Sequence, residues 1–223
     1  TGRSPGSALP YLEGITVNAP AIFFNGAMLK DLKEDKVLEM RMLDGDIWRD
    51  FAARVLYQFP RACVEVYTTE DCIVISPEEN DDPRLEGEFY NVKHCTLRDV
   101  EEETWLKFFI NDAPVNLTFV ERLAKELGID KISTSFYSEV NYLEYVAPHT
   151  SKGDMAEVLR AMPAYAGRCV VACGDYGNDA ALLRMADIGI APADASDEAK
   201  SAADRVGVPC SENLIAWVLR EVL

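Results

Sequence analysis

Apolar and polar positions change rhythm along the chain. Ser4 to Glu13 reads as helix, and Ala21-Ile-Phe-Phe-Asn25-Gly26 is a short apolar run stopped by a turn pair. From Ser151 onward, helix and strand patterns alternate. Met155, Val158, Leu159 and Met162 form one apolar helical face at i, i+3, i+4 and i+7. Arg168 to Cys173 and Asp187 to Ala191 read as buried strands. Asn178 to Met185, Asp197 to Ala203 and Glu212 to Val222 read as helices. Short apolar strands alternating with helices predict a parallel sheet covered on both faces.

The stretch between Met28 and Pro148 has a different texture. Lys36 to Leu43 alternates like a strand, and Asp46 to Phe59 reads as a helix. Cys63 to Tyr67 and Cys72 to Ser76 flank the turn residues Thr68 to Glu70, the pattern of a β-hairpin. Beyond the acidic loop Glu78 to Pro83, Thr104 to Ile110 reads as a strand and Asn116 to Leu127 as a helix. Ile132 to Tyr137 and Tyr142 to Val146 suggest a second hairpin. Hairpins flanked by helices predict an α+β unit with an antiparallel sheet. The expected architecture is an α/β domain, residues 1–27 and 148–223, interrupted by an inserted α+β domain, residues 28–147. The acidic loop is expected to be a solvated surface turn.

Charge narrows the partners. The 223 residues carry 22 Lys+Arg against 38 Asp+Glu, a formal charge of −16. Nucleic acid is a poor partner for such a chain, because counterion release needs a basic face. An anionic membrane surface is equally disfavoured. No apolar run approaches the ~18 residues that span a bilayer, and no signal-peptide pattern opens these residues. Six cysteines, at positions 63, 72, 95, 169, 173 and 210, form no Cys-x-x-Cys pair. They are expected to be free, mostly buried thiols of a cytoplasmic protein, with Cys169 and Cys173 on the same side of one strand. His94-Cys95 lacks the partners of a metal site.

Three segments could carry chemistry. The buried strand ending at Cys173 runs into Gly174-Asp175-Tyr176-Gly177-Asn178-Asp179, at the head of a helix. Ligands of parallel α/β sheets bind beyond the carboxyl ends of strands. Two close carboxylates without a basic neighbour repel, and a hard divalent cation relieves that repulsion. The plainer alternative is that Asp175 caps the helix and Gly177 makes the turn. In Ser151-Lys152-Gly153-Asp154 a lysine stands at a helix N-terminus, where the dipole favours anions. An anion between the lysine and the helix makes sense of it; otherwise it is a surface lysine. Thr1-Gly2-Arg3-Ser4 enters a helix with a hydroxyl and free N–H groups, a phosphate cradle or an ordinary cap.

Together these segments resemble the haloacid dehalogenase-like (HAD) superfamily, specifically the Cof-type subfamily IIB with its large cap. That resemblance implies a Rossmann-like parallel-sheet core and Mg²⁺-dependent phosphatase activity on small phosphorylated metabolites such as sugar phosphates. Thr1-Gly2-Arg3 matches the second family motif, whose Thr holds the transferring phosphoryl group. Lys152-Gly153 matches the third, whose Lys neutralises that group and the nucleophile. Gly174-Asp175-x-x-Asn178-Asp179 matches the fourth, which implies Asp175 and Asp179 at the metal and Asn178 at phosphate and Lys. Asn25-Gly26 matches a loop near the cap entrance.

The chain departs from the pattern in two places. Asp-x-Asp, whose first Asp forms an aspartyl-phosphate in relatives, is absent near Thr1. Asp44-Gly-Asp46 has the spacing but falls within the insert. The nucleophile is therefore expected upstream of Thr1, on a strand lying beside Arg168–Cys173, and residues 1–223 alone are expected to be inactive. Ala191-Pro-Ala-Asp194-Ala195 stands where relatives often carry Gly-Asn-Ala. Two other functions suit the same scaffold: a phosphomutase, and a non-catalytic phosphometabolite-binding relative.

Overall fold

A computed structural model describes residues 1–43, 45–87, 91–100 and 105–222. The expected strand start at Thr104, and Asp44 of Asp44-Gly-Asp46, lie outside the described residues. The chain divides into two compact units, Thr1–Thr150 and Ser151–Leu223.

The first unit opens with helix α1, Pro5–Ala8. Ser4 caps it by accepting from the Ser7 amide, and Pro5 occupies a first-turn position that needs no N–H. Strands β1 (Ala21–Phe23), β2 (Met28–Asp31) and β3 (Lys36–Met40) form an antiparallel three-stranded sheet. Helix α2 (Gly45–Gln58) follows, then the hairpin β4 (Cys63–Tyr67) and β5 (Asp71–Val74). Its turn is held by Thr68, whose Oγ1 accepts from the amides of Glu70 and Asp71. Strand β6 (Asn91–His94), strand β7 (Lys107–Asn111), helix α3 (Pro114–Glu126) and the hairpin β8 (Thr134–Glu139) and β9 (Tyr142–Val146) complete the unit. The six later strands make one sheet in the order β6-β5-β4-β7-β9-β8, antiparallel except where β5 meets β6.

Period-2 alternation sends the side chains of this sheet to two different environments. Val64, Val66, Phe108, Ile110, Leu143 and Tyr145 join Trp48, Phe51 and Val55 of α2 and Leu117 and Val120 of α3 in one core. Cys63, Tyr67, Cys72, Phe109 and Val146 point the other way and meet Ala8, Phe23, Phe24 and Met28. The second face therefore lies under the chain's first thirty residues, and β4 is buried along its whole length. Three charges also stand on that face, Glu65, Lys107 and Glu144, all buried. Glu65 receives Arg84 through both oxygens at 2.5 and 2.6 Å, together with the Tyr67 hydroxyl at 2.6 Å.

Two expectations need correction here. The acidic loop is not wholly solvated: Asp82 is buried and accepts from Asn111 at 2.7 Å and from the Arg84 amide. The cysteines are all free, but only Cys63 and Cys72 are buried, while Cys169 and Cys210 are exposed. Burial, then the Glu65 charge, pushes the Cys63 thiol up to about 12, so it is inert.

In the second unit, helix α4 (Lys152–Ala161) precedes strand β10 (Val171–Cys173). Helix α5 (Ala180–Met185), strand β11 (Ile188–Ala191), helix α6 (Asp197–Ala202), strand β12 (Arg205–Val206) and helix α7 (Leu214–Glu221) follow. The strands are parallel in the order β10-β11-β12. Ala172 and Ala191 pack with Leu183 and Ala199, whereas Ile190 packs with Leu214 and Val218, so helices cover both faces. Strand β10 starts late because the Val170 amide is taken by the Asp187 carboxylate at 2.8 Å. Cys169 thus lies outside the strand and is exposed, whereas Cys173, within it, is half-buried.

Trp48 is fully buried, its ring centroid 5.6–5.8 Å from those of Phe51, Phe108 and Tyr145 in edge-to-face or tilted arrangements. Trp48→Ala should cost ~3–5 kcal/mol in urea unfolding. The Val170 amide, then Arg160, holds the Asp187 carboxyl below its usual range. A depressed folded pKa stabilises above the unfolded value of about 4, and that stability is lost as pH falls through the folded pKa. Unfolding midpoints of Asp187→Asn should therefore depend less on pH below about 4 than those of the parent.

Candidate active site

Strand β10 delivers the chain to Gly174-Asp175, and a 3₁₀ turn, Gly177–Asp179, leads into α5. Asp179 organises this loop. Its Oδ2 accepts from the amides of Asp175 at 3.1 Å and Tyr176 at 3.4 Å. Its Oδ1 accepts from Lys152 Nζ at 2.6 Å, with both side chains about nine-tenths buried. Gly174 is required by this closeness: a Cβ there would lie 2.3 Å from the Asp179 Cβ. The Ser196 amide, donating to the Asp175 carbonyl at 2.9 Å, ties the loop to the start of α6.

Lys152 owes its place to the helix start. Ser151 caps α4 by accepting from the Asp154 amide at 3.0 Å, which puts Lys152 in the first turn. A cation there is disfavoured by the helix dipole, and the Asp179 carboxylate compensates it. Burial alone would raise the Asp179 pKa, but Lys152 and the two amides outweigh it and hold the carboxyl below its usual value. Asp175 is less well compensated: burial, then the neighbouring Asp179 charge, raises its pKa, and its own amide and Lys152 offset this only in part. Asp179 is thus the carboxylate engaged by the protein, and Asp175 the one whose charge is incompletely balanced.

A cavity of about 500 Å³ opens beside the loop, lined by Cys173, Gly174, Asp175, Asp179, Pro192 and Leu214. Asn178 sits one residue before Asp179 at the head of α5. Asp194, in the segment that departs from the family pattern, accepts from the Cys210 amide at 3.2 Å. Among the described residues no three His, Cys, Asp or Glu side chains cluster as a metal cage. The donor set here suits a cation that keeps its waters and takes one or two carboxylates, as Mg²⁺ does.

The first unit assembles the other predicted residues. Thr1–Arg3 and Phe24–Asn25 are laced together by Asn25 N–H to the Thr1 carbonyl, 3.0 Å, and Phe24 N–H to the Arg3 carbonyl, 3.1 Å. Phe24 and Asn25 both take the left-handed conformation, at φ 49° and 55°, and Gly26 follows at φ 104°. Thr1 Oγ1 accepts from the Arg3 amide at 3.2 Å. Gly2 lies so near Asn25 that a Cβ would stand 2.9 Å from its side-chain nitrogen. Thr1, Gly2, Asn25 and Gly26 therefore come together in one unit, and Lys152, Asp175, Asn178 and Asp179 in the other.

Sequence patterning missed Lys107 and Glu144. Asn25 Nδ2 donates to Glu144 Oε2 at 2.8 Å, and Lys107 Nζ lies 3.2 Å from that oxygen and 3.4 Å from the Gly2 carbonyl. The available signal was a lone charge within each of two apolar strands.

Comparison with known proteins identifies the family. Haloacid dehalogenase-like hydrolases match residues 1–219 as a family. A Haemophilus influenzae protein, described provisionally as a phosphatase, is 26% identical over 225 residues, covering 99% of this chain and 82% of its own. A haloacid dehalogenase-like hydrolase from B. subtilis shares the fold at TM-score 0.82 and 18% identity, over 100% of this chain and 86% of that one. A sugar phosphatase of HAD subclass IIB does so at TM-score 0.82 and 18% identity, over 99% and 82%. With its family match spanning nearly every residue, the chain belongs to the haloacid dehalogenase-like hydrolases.

Proposed function

We propose that this chain serves an Mg²⁺-dependent phosphatase of small phosphorylated metabolites, sugar phosphates foremost, acting in the cytoplasm. The observation that carries this reading is the divided carboxylate pair, with Asp179 paired to Lys152 and Asp175 only partly compensated. The subclass IIB sugar phosphatase among its fold relatives supports the substrate class. Residues 1–27 and 148–223 would form the core, and 28–147 a cap that selects the substrate.

Phosphoryl transfer needs charge compensation and in-line positioning more than covalent chemistry from the protein. Lys152 Nζ, the Thr1 hydroxyl and the Asn178 amide would bind phosphoryl oxygens, with Gly2 N–H and the Asn25-Gly26 loop bordering the substrate. Asp175 would hold Mg²⁺, with Asp179 behind it keeping Lys152 and the loop amides in place. The cation would neutralise phosphate charge and align it for attack. The attacking carboxylate, the Asp of an Asp-x-Asp pair that residues near Thr1 lack, would come from a preceding segment and displace the substrate's alcohol from phosphorus; water would then hydrolyse the aspartyl-phosphate to free phosphate and the carboxylate.

The protein carrying that segment should release phosphate from sugar phosphates in Mg²⁺ and lose activity on chelation; turnover that survives exhaustive chelation contradicts the metal's role. Asp175→Asn should lower Mg²⁺ affinity and activity together while leaving the fold intact. Isomerised sugar phosphate in place of free phosphate would identify a mutase, and binding without turnover a non-catalytic relative. Lys152→Met strips Asp179 of its buried partner and should cost ~3–5 kcal/mol in urea unfolding.

A further inference from the structure

We propose that the buried Lys107–Glu144 pair is a positioning device for the Thr1 hydroxyl, acting through the Gly2–Arg3 peptide group; the proposal rests on the phosphatase reading above.

A single peptide plane joins the two ends of the device. Its carbonyl, that of Gly2, is 3.4 Å from Lys107 Nζ, and its N–H, that of Arg3, donates to Thr1 Oγ1 at 3.2 Å. A trans peptide is rigid and its C=O and N–H point in opposite directions, so fixing one fixes the other. By donating to Oγ1, Arg3 N–H fixes where that oxygen stands, and the hydroxyl can rotate to donate to a phosphoryl oxygen. Lys107 is itself held: Glu144 balances its charge at 3.2 Å, and its ammonium lies 4.1 Å over the Tyr67 ring and 5.4 Å from the Phe109 ring. Glu144 carries the neighbouring loop as well, through the Asn25 amide at 2.8 Å. That loop runs through two consecutive left-handed non-glycine residues, a conformation that persists only where the surroundings enforce it.

Stability gives no reason for such a pair. Lys107 and Glu144 are 5% and 4% exposed, and burying two charges costs desolvation that well-packed apolar residues would avoid. What apolar residues could not do is hold a carbonyl and an amide of the phosphate loop. A second buried pair on the same sheet face, Glu65 and Arg84, provides the contrast. Its polar partners are the Tyr67 hydroxyl, Asp82 and the thiols of Cys63 and Cys72, and it meets the loop only indirectly, through the Tyr67 ring that lies 6.1 Å from Phe24 and carries Lys107.

The test is calorimetric titration with inorganic phosphate in Mg²⁺, with thermal unfolding of every variant alongside. Lys107→Met/Glu144→Gln removes both charges and keeps an acceptor for Asn25. It should weaken phosphate binding at least about tenfold, the loss expected when a charged hydrogen bond is removed. Glu65→Gln/Arg84→Met, which reaches Lys107 only through the shared Tyr67 and Phe109 rings, should weaken phosphate binding clearly less than Lys107→Met/Glu144→Gln does. In a Thr1→Val background, Lys107→Met/Glu144→Gln should have no further effect, because the residue it acts through is gone. Glu144→Gln alone, an isosteric change, should weaken binding about threefold and serves if the double variant does not fold. If the parent and Thr1→Val bind phosphate alike, the phosphate-site reading fails and the device with it. If Thr1→Val weakens binding while the Lys107/Glu144 variants do not, or weaken it equally without Thr1, the positioning role alone is overturned.

Discussion

A buried carboxylate with both oxygens engaged is the constraint on which the second unit depends. Asp179 lies under Gly174, ties the amides of Asp175 and Tyr176, and neutralises Lys152 at 2.6 Å. Each partner would be costly alone, since an unpaired buried ion pays a desolvation penalty of several kcal/mol. Together they close the turn between β10 and α5 and fix α4 against it. The consequence falls on Asp175, whose carboxyl is pushed up by burial and the Asp179 charge, with its own amide and Lys152 offsetting them only in part. In the proposed reading, a cation would balance that charge.

The first unit handles charge in the same way on a different scaffold. Its sheet is apolar on the helix-covered face, while the opposite face accepts Glu65, Lys107 and Glu144 only because each finds a partner there. Cross-strand register aligns them: Glu65 faces Phe109, which faces Glu144, and Tyr67 faces Lys107. An aromatic row between two ion pairs keeps them separate and lowers the local dielectric around both. Loop geometry at Thr1–Arg3 and Phe24–Asn25 is built on this row.

Much of this was legible because local chemistry decided it. The β4–β5 hairpin announced itself through Thr68 and its neighbours, and Lys152 and Asp175 through their places at a helix start and a strand end. Strand β2 was hidden because Asn25-Gly26 reads as a terminator, whereas the chain turns there and pairs straight back on β1. Strands β6 and β12 are short and carry little apolar signal; they are strands because a neighbour accepts them. Lys107 and Glu144 stayed invisible for a related reason. A charge in an apolar strand reads as a solvent-facing position, and only the first thirty residues, folding over that face, bury it. Asp82 was misjudged likewise, as its partners Arg84 and Asn111 come from outside the acidic run.

If Asp175 offers its charge to a cation that also meets phosphate, the two ligands must assist each other, since coupling between sites is reciprocal. The direct measurement is phosphate affinity across a range of Mg²⁺ concentrations at constant ionic strength. The account predicts that phosphate binds more tightly as Mg²⁺ rises, and that the dependence vanishes in Asp175→Asn. Phosphate affinity indifferent to Mg²⁺ in the parent protein would contradict it.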